Sequence, residues 1–399
     1  MGANFYGRRF YYNQQRESSI FEFPRNMPVF DSFPPDDLLR YIRRGYGVDG
    51  FAEYQFRDSF SSVGVTYNYD ISSFRMLTQA SYEYYAYVPY EYAGMDRLSG
   101  VRSSTLTPSF AYNTIDHPAQ PTRGLLIKIA TAVTGLGGDV QAIEPSVEVK
   151  HFRSGFRPNH VIALHLRGRV LAAYGDKSQP PFDRYYMGGE NDIRGFDTWS
   201  IGPIAYMPSI AAVNILNPDG TPRMQKQIVN GVPTFVNVTQ SVPVLRPVAV
   251  GGDTNAIANF EYRIPLRGPW TLALFNDTGW NALSFPMRLR LTPYRILMLN
   301  RFPEAGFSER FRIPPGLQMV RMSTGAEFQV VTRKFNAPLR LYFAVNPLRV
   351  REDISTMQPF NRSNFPNLAT YTEAVNALSV PTPIHERRFL LGFSIGRTF

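Results

Sequence analysis

The 399-residue sequence predicts an all-β protein, an antiparallel transmembrane β-barrel with long external loops. Three observations lead to this prediction: apolar residues recur at every second position, long and short connections alternate along the chain, and no stretch suits a membrane-spanning helix. The composition agrees, because 44% of the residues are hydrophobic and 14% are aromatic, which excludes a disordered chain. Charged residues make up 19%, below the ~25% usual for soluble domains.

The alternation of apolar and other residues runs from one end of the chain to the other. Between residues 319 and 331 the even-numbered positions are mostly apolar, whereas the odd-numbered positions from 321 carry Arg, Ser, Gly, Glu and Gln. About twelve such segments are predicted strands, most of them near the ~9–11 residues that a tilted membrane strand needs. These segments are 5–13, 46–57, 61–70, 105–113, 123–134, 142–153, 159–173, 256–265, 271–279, 319–331, 338–346 and 389–399.

The connections between these segments alternate in length and hold no predicted secondary structure. Five are short, and five of the other six are long, 135–141 being the exception. This is the pattern of an outer-membrane barrel, which has tight periplasmic turns and long external loops. A soluble β-sandwich shows the same period but has no reason to place its long loops at one end. The short connections are 58–60, 114–122, 154–158, 266–270 and 332–337; the long ones are 14–45, 71–104, 174–255, 280–317 and 347–387.

Several other classes of protein are excluded or disfavoured. The longest uncharged stretches are interrupted by Pro, Gly and Asn and do not suit a spanning helix, and residues 1–30 carry no signal-peptide pattern. Cysteine is absent, which rules out disulfides and thiolate metal sites. The net charge is +10, and 37 of the 42 basic residues are arginine. The arginines are scattered and form no nucleic-acid module, so nucleic acid is not an expected partner.

The most specific motif lies inside the longest connection. It reads R-Y-Y-M-G-G-E-N-D-I-R-G-F over residues 184–196 and is followed by Ile201, Gly202 and Pro203. This run closely resembles a motif of the BamA/TamA family of outer-membrane assembly proteins, in which it sits on an external loop that folds back into the barrel lumen. The resemblance implies a loop motif that includes Arg184, Gly188, Gly189 and Ile193.

Further segments resemble the same family in the same order, over roughly residues 45–399. They include the turn Asn113–Asp116 with Pro121–Gly124, the strand Phe260–Leu266, the strand Phe275–Gly279, and the turn and strand Asn336–Arg340. The resemblance implies a barrel of about sixteen strands preceded by soluble POTRA repeats and a signal peptide. Because about twelve strands are visible, residues 1–399 are expected to be the C-terminal part of a larger protein, a barrel domain that starts near the fifth strand and lacks the signal peptide, the POTRA repeats and the first strands. Residues 174–255 are expected to be its long extracellular loop.

Two acidic residues are candidates for holding this loop in the lumen. Strand parity places Glu261 and Asp277 on the lumenal faces of neighbouring strands, and Gly195 lets the backbone beside Arg194 approach closely. A guanidinium on an inward-folded loop would pair with both carboxylates. On spacing alone, the alternative is equally good: the acids hydrate the lumen while Arg194 faces solvent. The family resemblance implies the ion-paired arrangement, a lock made of Arg194, Gly195, Phe196, Glu261 and Asp277.

The last predicted strand is a second candidate element. In the family this strand meets the first at a weak lateral seam, where client strands are thought to enter by β-augmentation. Glycines within it weaken strand pairing and permit bending. A terminal Phe fits both a membrane-interface girdle and the signal that assembly machines read in their clients. The residues assigned to the seam and the signal are Phe389, Leu391, Gly392, Phe393, Ile395, Gly396 and Phe399.

Catalysis finds little support in the sequence. The five histidines form no known metal or catalytic motif, and the sequence contains no P-loop and no G-x-S-x-G element. His160 and His165 are five residues apart in a predicted strand and point to opposite faces. The expectation is therefore a non-enzymatic protein with no cofactor and no metal.

The resemblance implies an integral protein of the bacterial outer membrane that folds and inserts other β-barrels through a lateral seam. Its expected partners are outer-membrane lipid and lipopolysaccharide, unfolded outer-membrane protein clients, and accessory lipoproteins bound through the periplasmic domains. The alternatives are a TamA-like factor or a two-partner-secretion translocator of unfolded polypeptide, and a passive porin. A porin predicts steady conductance, whereas a loop plug predicts low, flickering conductance.

Overall fold

The computed structural model describes residues 1–13, 40–77, 99–118, 120–175, 183–229, 232–285, 293–308, 310–331, 338–379 and 381–395. One antiparallel sheet in this part of the chain has thirteen strands. The two-residue strand Ala172–Ala173 pairs only with Ala142 and Ile143, and the other twelve strands pair with their neighbours in chain order. They are β1 Gly2–Asn13, β2 Arg40–Gln55, β3 Ser61–Met76, β4 Val101–Asn113, β5 Gly124–Thr134, β6 Ala142–Ser154, β7 Val161–Val170, β8 Thr254–Pro265, β9 Trp270–Ala282, β10 Arg321–Val331, β11 Pro338–Leu348 and β12 Phe389–Ile395.

The predicted fold class is confirmed, and all twelve predicted segments contain a strand of this sheet. The boundaries differ where pairing overrides the local pattern. β2 begins at Arg40 rather than at residue 46, because it pairs with the whole of β1 as far as Asn13. β7 spans Val161–Val170 rather than 159–173, so His160 lies in the turn before the strand and not within it.

The two faces of the sheet reverse the usual arrangement of a soluble protein. In β8 the buried positions include Asn259, Glu261 and Arg263, whereas Phe260 between them is 43% exposed. The same order holds in β10, where Glu327 is buried and Phe328 is 46% exposed. Polar side chains therefore line the inside and apolar side chains cover the outside, as a barrel surrounded by lipid requires.

Three of the long connections, 174–255, 280–317 and 347–387, contain secondary structure in their described residues, contrary to the expectation from sequence. The longest contains a hairpin that pairs Ile204–Asn214 with Thr239–Ala249 and continues as Met224–Val229 with Val232–Asn237. Buried apolar clusters join this hairpin to the neighbouring connections. The other elements are Ala172–Ala173, Arg351–Ile354 paired with Thr382–His385, the α-helices α1 Pro293–Leu299 and α2 Leu368–Leu378, and the 3-10 turns Pro303–Ala305, Pro315–Gln318 and Arg362–Asn364.

In the described part of the chain, β1 pairs only with β2 and β12 only with β11, so each end strand has one edge without a partner there. None of the described helices is long and apolar enough to cross a membrane.

The turn between β4 and β5 depends on particular residues. The side chain of Asp116 accepts hydrogen bonds from the backbone N–H of Thr122, at 2.9 Å, and from its hydroxyl. Gly124 lies so close to the backbone of Thr114 that a Cβ atom would overlap it, and its φ of +115° suits glycine. Asp116, Thr122 and Gly124 therefore close this turn.

We expect this turn to weaken in acid. The hydroxyl of Thr122 and nearby backbone N–H groups lower the pKa of Asp116 from 3.8 to about 2. A depressed pKa contributes stability above the unfolded value, and that stability is lost as the pH falls through the folded value. Because Asp116 is exposed, the contribution is at most about 1 kcal/mol.

Urea unfolding of wild type and Asp116→Asn at neutral pH and near pH 2 measures this contribution. The difference between the two proteins should be present at neutral pH and shrink in acid. Thr122→Val removes the hydroxyl and keeps the backbone donor, so it should lose only part of the effect. An equal difference at both pH values would contradict the assignment.

Candidate functional site

Residues 183–202, here called the lumen loop, lie against the inner face of the sheet. Met187 and Ile201 exchange backbone hydrogen bonds of 2.9 and 2.8 Å, so the loop forms a small hairpin of its own. Its tip is closed by a bond of 3.0 Å from the N–H of Gly189 to the carbonyl of Phe196. The hairpin presents Arg194 to the strands that follow the loop in sequence.

The guanidinium of Arg194 contacts three carboxylates from three successive strands. Its Nε and Nη2 donate to the two oxygens of Asp277 at 2.7 and 2.8 Å, and Nη1 donates to Glu261 at 2.7 Å. Nη1 also donates to Glu327 at 3.1 Å, and the backbone N–H of Arg194 reaches Asp277 at 3.0 Å. The guanidinium carbon lies 3.9 Å from the centre of the Phe275 ring, in cation–π geometry.

Two further arginines complete this group of charges. Arg263 donates to Glu261 at 2.7 Å, and Arg340 donates to Glu327 at 2.8 and 3.0 Å. The lumen network, defined as Arg194, Arg263, Arg340, Glu261, Asp277 and Glu327, therefore balances three positive charges against three negative ones. Every member is at most 9% exposed. Burial opposes the charge of Arg194, yet the carboxylates outweigh it and raise the pKa of that guanidinium well above its ordinary value.

The structure thus brings together Arg194, Glu261 and Asp277, which the sequence had linked. Arg263, Glu327 and Arg340 were missed as members of the network. Their signal was present, because all three occupy positions of the polar face in β8, β10 and β11. The family motif did not single them out, and parity alone does not distinguish them from the other lumenal residues.

Gly195 and Phe196, the two residues after Arg194, also hold the lumen loop in place. The carbonyl of Gly195 accepts a hydrogen bond from the side chain of Asn346 on β11. Phe196 is 4% exposed and belongs to an apolar cluster with Met187, Ile193, Ile201 and Ile257. Gly279 of β9 makes room for this cluster, since a Cβ atom there would overlap the side chain of Ile193 and lie 2.7 Å from Met187.

Of the other predicted motif residues, Gly188 and Gly189 determine the shape of the lumen loop. Gly188 has a φ of +113°, and a Cβ atom on it would overlap the carbonyl of Asp197. Gly189 makes the closing hydrogen bond at the tip. Arg184 is 5% exposed, and none of its guanidinium nitrogens has a hydrogen-bond partner among the described residues. The structure therefore does not place Arg184 in the lumen network.

The first residues of the lumen loop contact the opposite part of the sheet. Asp183 lies 3.8 Å from Arg43 on β2, and the hydroxyl of Tyr185 donates to Glu144 on β6 at 2.7 Å. Arg169 of β7 stacks on the Tyr185 ring, with 4.5 Å between the guanidinium carbon and the ring centre. The lumen loop therefore contacts strands from β2 to β11, which means that the sheet wraps around it.

The predicted seam residues lie on β12, which pairs with β11 from Val345↔Phe389 to Leu339↔Ile395. Phe389 and Phe393 are exposed on the outer face, and Leu391 is half-buried. Gly392 faces inward opposite Tyr342, whose ring would lie 2.6 Å or less from an added Cβ atom. This glycine therefore provides space for an aromatic ring. Gly396 and Phe399 lie outside the described residues.

A comparison with protein families identifies this architecture. The model described as the Omp85 superfamily domain matches residues 4–364. The chain belongs to the Omp85 superfamily. The predicted resemblance is thereby confirmed, and this Omp85 barrel is an integral protein of the bacterial outer membrane.

Two curated relatives each match this chain over 25% of its length. Outer membrane protein assembly factor BamA of Nitratidesulfovibrio vulgaris is 34% identical over 103 residues, 13% of that protein. The sorting and assembly machinery component 50 homolog of Xenopus tropicalis is 33% identical over 101 residues, 21% of that protein. The matched segments are thus a small part of either relative.

A solved structure supports the fold independently. The crystal structure of BamA from Haemophilus ducreyi lacking POTRA domains 1–3 superposes on the Omp85 barrel with a TM-score of 0.50. The alignment covers 80% of this chain and 57% of that one, at 17% identity. At this identity the likeness shows the barrel fold alone, and the roles of the lumen network and of β12 stay predictions.

Proposed function

We propose that this Omp85 barrel folds and inserts other β-barrel proteins into the outer membrane, without enzymatic chemistry. The observation that carries the proposal is the lumen loop, which Arg194 joins to three buried carboxylates inside the barrel. A loop held this firmly obstructs the lumen, so the barrel is a poor passive pore. Membership of the superfamily and the names of the matched relatives, both assembly components, support the same conclusion.

The edge of β12 is the proposed site of action. A strand edge offers unpaired N–H and C=O groups to an incoming client strand, which is how β-augmentation works. A continuous set of contacts connects this edge with the network: Arg194 stacks on Phe275, whose ring centre lies 6.3 Å from that of Tyr342, and Tyr342 covers Gly392. We propose that the seated loop keeps β12 in position through these rings.

The proposed partners follow from this role. Unfolded outer-membrane proteins would be the clients, and the exposed outer face of the sheet would contact lipid and lipopolysaccharide. We further propose that residues 1–399 act as the barrel domain of a larger protein, with 174–255 as its extracellular loop, and that accessory lipoproteins bind periplasmic domains of that protein.

Reconstitution of the full-length protein into lipid vesicles tests the proposal. A urea-unfolded outer-membrane barrel is added, and its folding is followed by its heat-modifiable mobility on gels. Folding should be faster than in protein-free vesicles, and Arg194→Ala should bring the rate back towards that level. Arg223→Ala is the matched control, because Arg223 is an exposed arginine of the same long connection.

Two outcomes would point to the alternative functions. Client polypeptide that accumulates inside the vesicles, protected from protease but unfolded, would indicate a translocator of unfolded polypeptide. A steady open conductance of the wild type in planar bilayers, with no acceleration of client folding, would indicate a porin. Either result would overturn the assembly proposal.

A further inference from the structure

The side-chain amide of Asn346 joins the lumen loop to the residues that lead into β12. Asn346 lies on the inner face of β11 and is 0% exposed. Its Nδ2 donates one hydrogen bond to the carbonyl of Gly195 and another, of 2.9 Å, to the carbonyl of Arg387. An amide nitrogen carries two hydrogens, so both hydrogen bonds are made at the same time. One side chain therefore contacts both the loop and the start of the last strand.

The orientation of this amide is determined by the two carbonyls. The side-chain oxygen of Asn346 is buried and has no hydrogen-bond partner among the described residues. A flipped amide would place that oxygen against two carbonyl oxygens and would lose both hydrogen bonds. An unpaired buried acceptor is costly, so the arrangement persists because the nitrogen makes two hydrogen bonds. The orientation that reaches Arg387 therefore depends on the carbonyl of Gly195.

The three residues before β12 are fixed on the same wall. The backbone N–H of Asn346 donates to the carbonyl of Arg388 at 2.8 Å. The carboxylate of Glu386 accepts a hydrogen bond of 2.6 Å from the N–H of Val350, and both of its oxygens lie 3.0 Å from Nε of Arg321 on β10. The pair between Arg321 and Glu386 does not involve the lumen loop, whereas the hydrogen bonds of the Asn346 amide do.

We infer that Asn346 is a positioning residue, through which the seated lumen loop stabilises the pairing of β12 with β11. While the loop is seated, the Gly195 carbonyl holds the amide in the rotamer that also reaches Arg387. When the loop leaves, the side chain regains rotational freedom and water competes for both of its hydrogens. The hydrogen bond to Arg387 is then weaker, and the first pair of the strand, Val345 with Phe389, opens more often.

This inference deepens the proposed function, because it adds a direct contact to the path through the aromatic rings. In the described part of the chain β12 pairs on one side only, so its pairing with β11 is what holds it in the sheet there. Release of the loop would thus loosen the edge at which a client strand is proposed to pair. The inference rests on the proposed function for that last step alone.

Asn281 of β9 offers a matched comparison. It is 2% exposed, and its Nδ2 donates to the carbonyls of Tyr185 and Ile201 at 2.8 and 2.9 Å. Its side-chain oxygen also lacks a partner among the described residues. The chemistry is the same as at Asn346, but both acceptors belong to the lumen loop. Asn281→Ala therefore loosens the loop without removing a hydrogen bond to the residues before β12.

Amide hydrogen exchange of the full-length protein in lipid vesicles, read by mass spectrometry, tests the coupling. Wild type, Asn281→Ala, Asn346→Ala and the double variant are compared. Each single variant should speed the exchange of residues 188–196 by roughly fivefold, because each removes hydrogen bonds to the loop. Asn281→Ala should also speed the exchange of β12 by roughly threefold or more while Asn346 is present. In the Asn346→Ala background it should have no further effect on β12.

An effect of Asn281→Ala on β12 that persists in the Asn346→Ala background would overturn the inference, because the loop would then act on β12 by another path. Faster exchange of the loop beside unchanged exchange of β12 in Asn281→Ala would overturn it too, and this result needs no variant of Asn346. Asn346→Ser is the second variant if Asn346→Ala does not fold, since one hydroxyl hydrogen cannot bond to both carbonyls. Exchange of β5 and β6 should be the same in all the proteins, which excludes general unfolding.

The client-folding assay separates this inference from the proposed function. The expected exchange results in a protein that does not accelerate client folding would count against the proposed function alone. Accelerated client folding by wild type, together with independent effects of Asn281→Ala and Asn346→Ala on β12, would count against the role of Asn346 alone.

Discussion

Arg194→Ala should lower the free energy of unfolding of the barrel by about 3–5 kcal/mol, the usual result of removing one side of a buried ion pair. The variant leaves Glu261, Asp277 and Glu327 buried with only two arginines to balance them. It also removes the cation that stacks on Phe275. The lumen loop should then separate from the wall, because the hydrogen bonds of its side chain to β8, β9 and β10 are all lost.

Urea titration of the purified barrel, read by heat-modifiable mobility, measures this change. Arg223→Ala is again the control for loss of one arginine, and it should stay within about 0.5 kcal/mol of wild type, as surface substitutions do. If Arg194→Ala unfolds at the same urea concentration as Arg223→Ala, the network does not stabilise the loop and the lock hypothesis is wrong.

A double variant separates the charge effect from the loss of packing. Asp277→Asn combined with Arg194→Met removes the carboxylate that accepts the most hydrogen bonds from Arg194, so fewer uncompensated charges remain. The double variant should be less destabilised than the sum of the single variants, with a coupling energy of about 0.5–3 kcal/mol. Additive effects would mean that Arg194 acts through its size and not through its charge.

The lumen network was partly predictable because strand alternation is a local property. A period of two assigns Glu261 and Asp277 to the inside whatever the rest of the chain does. Which lumenal acids meet the guanidinium depends instead on the depth of the loop and on the stagger between strands. Glu327 pairs with Ala273 rather than with Asp277, so its contact with Arg194 comes from a register that only the folded sheet determines.

The external hairpin was not predictable for a different reason. Pro208, Pro243 and Pro247 interrupt its strands, and proline within a run is ordinarily a sign against a strand. A two-stranded hairpin tolerates proline because an N–H on the outer edge of a strand takes no part in the pairing between the two strands. On these outer edges Tyr206 and Leu245 form single bridges to Arg312 and Met357. The apolar residues of the hairpin are buried by α2 and neighbouring connections, and such packing between distant segments leaves no local signal.

Gly195→Ala should destabilise the lumen loop strongly, although it adds only one methyl group. Gly195 has a φ of +87°, where other residues cost about 1–3 kcal/mol. A Cβ atom there would also lie 2.6 Å from the Ser323 hydroxyl and 2.8 Å from Ala344, and it would overlap Asn346. Overpacking of this kind costs roughly a further 1–3 kcal/mol, because the walls of β10 and β11 are themselves packed.

Gly220→Ala separates the two costs. Gly220 lies in the same long connection with a nearly equal φ of +85°, but no atom lies within 4 Å of an added Cβ. Both variants therefore share the backbone strain, and only Gly195→Ala forces the loop away from the strands. The difference between them in urea unfolding isolates the close approach beside Arg194. Equal stabilities would show that the strand wall yields, and that position 195 requires glycine only for its dihedral angle.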